Sequence, residues 1–227
     1  MPGKKQRPTT KTEQRRVSIE RIRDAALNRF LSKGYHSTSV EDIAKDAGVT
    51  KGAVYFYFES KSAVLFALLE EIERLVVDGL IARLEAAGPS AQDQLVAAIH
   101  SQGATAADRS RYLILFTIAM VEFAGTGDPI EVRLREIYTR FTEVMEKIVV
   151  RGQATGEFSA SVRARELTAI VLALEHGTLL EWYFRSTKLD GTELVRAART
   201  VLLSGVTQKA DEPVKNLTRA KSNKRSY

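Results

Sequence analysis

Apolar residues recur at spacings of three and four along almost the whole chain, and no alternating run bounded by hairpin signals interrupts them. The pattern predicts an all-α protein. Ile22, Ala25, Ala26 and Phe30 form one stripe that stops at Gly34. Val40, Ile43, Ala44 and Ala47 form a second, opened by Thr38 or Ser39 as N-cap and closed by Gly48. A short third helix is expected from Thr50 through Tyr55. A long one is expected from Lys61, with Ser60 as its cap and Leu65, Leu68, Ile72, Leu75 and Leu84 along it, until Gly88-Pro89.

Ser90 and Asp93 have capping-box spacing and open a helix through Leu95 and Ile99. Arg109 to Phe123 reads as a separate one. Asp128 and Pro129 suit the cap and first position of the next helix, whose seam runs through Ile130, Leu134, Ile137, Phe141, Val144 and Ile148 and ends by Gly152 or Gly156. Ala164 to Phe184 has no wide polar face, so it must bury more than one side. Thr192 to Leu203 is the final helix.

The 227 residues include no cysteine, which excludes disulfides, thiolate metal sites and cysteine nucleophiles and fits a cytoplasmic protein. Tyr112 to Val121, the longest strongly apolar run, is too short to span a bilayer, and the basic N-terminus lacks the apolar core of a signal peptide. None of His36, His100 and His176 has Glu three residues earlier. No zinc-protease, Walker or nucleophile-elbow motif occurs either, so neither enzyme chemistry, a metal nor a cofactor is expected.

Charge adds an asymmetry that the net +6 hides. Residues 1–23 hold eight Lys/Arg against two Glu, residues 207–227 hold six against two acids, and the middle is net acidic. Basic ends on an acidic body suit a polyanion partner, because Lys/Arg at phosphates release condensed counterions. Solvated, disordered tails are the alternative.

The densest signal is the run Ser39 to Phe58. Two short helices meet at Gly48, which suits the left-handed conformation of a sharp turn, and Ala44, Val49 and Val54 are spaced to pack where they cross. The second helix opens with the small or polar Thr50, Lys51, Gly52 and Ala53, so its backbone can approach a major groove. Phe56 and Phe58 read as packing, as do Val40, Ile43, Ala47 and Val54.

Ile22 to Tyr35, Thr38 to Phe58 and then Ser60-Lys61, with the Lys-Gly-x-x-Tyr-x-Tyr-Phe element at 51–58, resemble the N-terminal domain of the TetR family of transcriptional regulators. The resemblance covers roughly the first third of the chain. It implies a three-helix helix-turn-helix DNA-binding domain joined by a long helix to an α-helical ligand-binding and dimerisation domain. It further implies operator-DNA roles for Thr38, Ser39, Thr50, Lys51, Gly52, Ala53, Tyr55, Tyr57 and Lys61, although the Tyr55 ring also suits core. The expected division is a basic disordered arm at 1–15, the DNA-binding domain at 16–76, the sensing domain at 77–206 and a basic disordered tail at 207–227.

The resemblance also implies a homodimer through the last two long helices, with Leu167, Val171, Leu174, Gly177, Thr178, Leu194, Ala198 and Val201 at the interface. A cavity for a largely apolar small molecule is expected among His100, Phe116, Met120, Glu122, Phe123, Arg140, Phe141, Met145, Glu175, His176 and Trp182, where aromatic and Met residues interleave with isolated polar ones. Each also suits an ordinary core or surface position. An unpaired carboxylate at Glu122 would be costly, and Arg140 is its expected partner. Repression is the family's usual mode. A helical module binding any polyanion without sequence preference is the alternative.

Overall fold

The computed structural model describes residues 10–185 and 188–207, and all regular structure among them is helical. Helix α1 (Lys11–Lys33) begins with the Thr10 hydroxyl accepting the Glu13 N–H. Residues 11–15 are therefore helix, where a disordered arm was expected, while residues 1–9 and 208–227 of the expected arm and tail lie outside the described residues. Helices α2 (Val40–Ala47) and α3 (Lys51–Tyr57) follow, then α4 (Lys61–Glu73), a π-helical turn (Arg74–Asp78) and α5 (Gly79–Ala86). The long helix expected from Lys61 is thus one rod with a wide turn inside it.

Helices α6 (Ala91–Glu122), α7 (Pro129–Ala154), α8 (Ala164–Arg185) and α9 (Gly191–Thr207) complete the fold. The two helices expected across 90–123 are joined in α6, and the break between them survives only as a kink at Arg109, with φ −133° and ψ 29°. Local chemistry sets these ends. Ser39 and Asp42 form a reciprocal capping box, and Gly48 sits at φ 66°, ψ 35° with its N–H returned to α2. The α6 start is reinforced from a distance, because Glu157 accepts the Ser90 hydroxyl at 2.8 Å and the Gln92 N–H at 3.0 Å; those donors hold its carboxyl down at about 2.

One apolar core runs from Ile22 in α1 to Val206 in α9, so the helix-turn-helix segment and the larger helical body are not separately packed. Their junction is also polar. Glu122, at the end of α6, accepts the backbone N–H groups of Tyr35 and His36 at 3.2 and 3.1 Å. Beside it the ring of Phe123 meets those of Tyr35 and His36, 5.2 and 5.3 Å away between centroids. From the other side Lys61 donates to the carbonyls of Tyr35 and Thr38, both at 2.8 Å.

The pairing expected between Glu122 and Arg140 is therefore wrong. Arg140 lies exposed on α7 and pairs with Glu73 and, at 3.4 Å, Asp78, which flank and end the π turn; Arg133 shares Glu73. The Glu122 carboxylate is satisfied by backbone donors that no side-chain pattern announces.

Two outcomes test this packing. Gly152 lies under the Phe158 ring, and the Phe158 N–H donates to the Gly152 carbonyl at 2.9 Å, so a methyl group there has nowhere to go. Gly152→Ala is expected to lower stability by about 1–2 kcal/mol, because overpacking outweighs the gain in helix propensity; an unchanged thermal melt would contradict the contact. Glu122→Ala is expected to speed amide hydrogen exchange at Tyr35 and His36 at least ten-fold and to leave Val54 unaffected. Equal rates in both proteins would mean that the carboxylate does not hold the loop.

Candidate functional site

Helix α3 has only seven residues, too few to hold itself together in water, and it stands because Val54 is fully buried in the common core where α3 packs on α2. Around that anchor Thr50, Lys51, Gly52 and Tyr55 are exposed and Ala53 and Tyr57 half-buried. Thr50 caps the helix, its hydroxyl accepting the Ala53 N–H at 3.1 Å and keeping its own hydrogen free to donate. Ser39, exposed at the head of α2, is tied into its capping box. The Lys51 ammonium pairs with Glu41 on α2, so a phosphate approaching Lys51 must displace a carboxylate.

Two residues expected at DNA are placed otherwise. Thr38 is buried and gives its hydroxyl to the Gly34 carbonyl at 2.8 Å. Lys61 is half-buried, spends its donors on Tyr35 and Thr38, and lies 4.1 Å from the Tyr35 ring centroid; burial lowers its pKa. Both brace the loop before α2. Phe56, expected as packing, is 80 % exposed, with its ring against Tyr57.

The larger cavity, about 670 Å³, lies among α6, α8 and α9. His100, Glu175 and Trp182 line it as expected, but α9 contributes a large share of the remaining wall, including Leu194, Val195, Ala198 and Arg199. A smaller space of about 40 Å³ lies between the π turn, α6, α7 and α8, bordered by Phe116, Phe141, Glu175 and His176. Met120, Phe123 and Met145 belong to the core and line neither; Glu122 and Arg140 serve the junction and the π turn. Glu175 is the one polar group that stands out. It is 4 % exposed, neither carboxyl oxygen has a hydrogen-bond partner, and burial pushes its pKa up to about 8.

The face of α8 expected at a partner also needs correction. Leu167 and Val171 are buried in the chain's own core, and Leu174, Thr178, Leu194 and Ala198 line the larger cavity. Gly177 is exposed, as is Val201, at 63 %. The open apolar stripe of α8 is Ile170, Ala173, Gly177 and Phe184, at helical spacing one face round from the expected one. No helix among the described residues is long and apolar enough to cross a membrane, and no cluster of three or more His, Asp or Glu among them suits a metal ion.

The family model described as "Bacterial regulatory proteins, tetR family" matches residues 22–68, which span the second half of α1, the helix-turn-helix and the first part of α4. The chain is 30% identical over 175 residues to the HTH-type transcriptional repressor BepR of Brucella suis biovar 1 (strain 1330), covering 72% of this chain and 79% of that one. It is 23% identical over 197 residues to the fatty acid metabolism regulator protein of Bacillus subtilis (strain 168), covering 87% of this chain and all of that one. The crystal structure of the MbdR regulator from Azoarcus sp. CIB superimposes with a TM-score of 0.76 at 39% identity, over 83% of this chain and 98% of that chain. With these matches along most of both chains, this protein belongs to the TetR family of bacterial transcriptional regulators, which are DNA-binding proteins and not enzymes.

Proposed function

We propose that the chain is a homodimeric repressor that grips operator DNA through α2 and α3 and is released by a largely apolar small molecule bound among α6, α8 and α9. The observation that carries this reading is the double duty of α6. Its first half borders the larger cavity, and its last residue, Glu122, holds the loop leading into the helix-turn-helix.

Ser39, Thr50, Lys51, Gly52, Ala53, Tyr55 and Tyr57 are the contact set, with Thr38 and Lys61 reassigned to bracing the loop. Lys51 and the tyrosine hydroxyls suit phosphates, which fix register, while the small Gly52 and Ala53 admit base edges. In the homodimer the stripe at Ile170, Ala173, Gly177 and Phe184 meets its copy, and Val201 of α9 lies at its edge. The two α3 helices then have to stand near 34 Å apart, one turn of DNA. An effector favouring a different spacing lowers operator affinity ten-fold for about 1.4 kcal/mol of differential binding.

Fluorescence anisotropy against a duplex from upstream of the protein's own gene, beside a scrambled duplex and across a salt series, tests the DNA reading. A tight, salt-sensitive preference for the native duplex is expected. Lys51→Ala should weaken it about ten-fold and shallow the salt slope by roughly one phosphate contact. Glu41→Gln should strengthen binding by freeing Lys51. Equal, weak binding to both duplexes would favour a nonspecific polyanion-binding module instead. For the assembly, Ile170→Glu with Phe184→Glu should sediment as a folded monomer that has lost operator affinity; an unchanged dimer would place the interface elsewhere.

A further inference from the structure

Glu175 lies midway along α8, in the wall common to the larger cavity and the smaller space, a position it shares with Gln102 and Leu179. A carboxyl group this deeply buried with both oxygens unpartnered is costly, and nothing in the apolar packing around it requires a carboxyl there. The charged and titratable groups facing it do not relieve it. On α6 there is His100, exposed at the cavity rim. On α8 His176 has its Nδ1 2.7 Å from the Leu172 carbonyl and its ring toward Tyr138 of α7.

Next to α9, Asp190 accepts the Glu193 N–H; on α9 itself Arg196 pairs with Glu193, and Arg199 borders the cavity. None of them reaches Glu175 closely enough to move its pKa, which is raised by burial alone to about 8. At neutral pH the group is therefore mostly a neutral acid.

We propose that the cavity is built for an apolar molecule carrying a protonated primary or secondary amine, whose N–H groups are taken by the two oxygens of Glu175. The proposal rests on the reading of this cavity as the effector site. An ionised carboxylate accepts and cannot donate, so the matching group must bring several donors and a positive charge. A hydroxyl brings one donor and no charge, and a carboxylate brings repulsion.

Binding proceeds as Glu175–COOH plus R–NH3⁺ giving the ion pair, with the acid proton released to solvent. The remaining wall, with Ile99, Leu174, Leu179, Leu194 and Leu202, takes the apolar part. Leu75 and Val76 of the π turn border the smaller space on the other side of the same carboxyl, so the state of Glu175 bears on the helix that carries the DNA-binding segment.

Trp182, the only tryptophan in the chain, borders the cavity, so its fluorescence reports occupancy without any DNA. Full-length protein is titrated with octylammonium, octanol and octanoate, which share one tail and differ in head group. Octylammonium is expected to bind at least ten-fold more tightly than either of the others. Its affinity should climb roughly ten-fold per pH unit below about pH 8, as ionisation of Glu175 becomes free, while octanol stays flat.

Glu175→Gln should abolish both the preference and the pH dependence; the wild-type pH series decides the matter if that variant does not fold. Octanol or octanoate binding as well as the amine, or an affinity for octylammonium that does not move with pH, overturns the amine assignment and leaves the cavity reading standing. If none of the three binds, the cavity reading fails and the assignment falls with it.

Discussion

The helix-turn-helix segment is tied to the helical body by a carboxylate that accepts two backbone N–H groups. Glu122 at the end of α6 holds Tyr35 and His36 in the loop between α1 and α2, and Phe123 and Lys61 close on that loop from either side. The helix-turn-helix is small, and α3 alone has no claim to stability. It is oriented by what it is packed against. One core runs through both segments, so the helix-turn-helix is packed as part of the helical body and not as a separate unit.

Two departures from ideal helix lie in the elements between the cavities and the loop. One is the kink at Arg109 in α6, between the stretch that borders the cavity and the end that holds the loop. The other is the π turn between α4 and α5, which borders the smaller space through Leu75 and Val76. A π turn inside an α-helix is rare and often found at functional sites, and here Glu73, the residue before it, pairs with Arg133 and Arg140 of α7. Exposed ion pairs contribute about 0–1 kcal/mol. Glu73 is mostly covered, while Arg133 and Arg140 remain partly open to solvent.

The parts of this design that depend on neighbours in sequence were readable from the sequence. Ser39, Gly48, Thr50, Ser60 and Asp128 announce the helix ends by chemistry that acts over a few residues, and each end lies where that chemistry puts it. What depends on distant partners was not readable. Thr38 and Lys61 look like surface polar residues until Gly34, Tyr35 and Thr38 present carbonyls to them. Glu122 and Arg140 look like a pair because both are isolated charges near apolar runs, but the α6 end and the π turn face different neighbours. A split of one long helix by a π turn has no residue signature at all here.

Helix α8 is the hardest element to read and the most informative once placed. Being apolar all round, it predicts two buried faces without saying which belongs to the chain's own core. Val171 and Leu172 point inward and Glu175 and Thr178 line the cavity wall, while Ile170, Ala173 and Gly177 remain open. Glu175 and Gly177 are two residues apart, so the cavity and the open stripe lie on opposite sides of the same helical turn. A molecule that pushes on Glu175 therefore pushes on the one helix that separates it from the open stripe. Glu122 and the open face of α8 belong to the two helices, α6 and α8, that wall a single cavity together with α9.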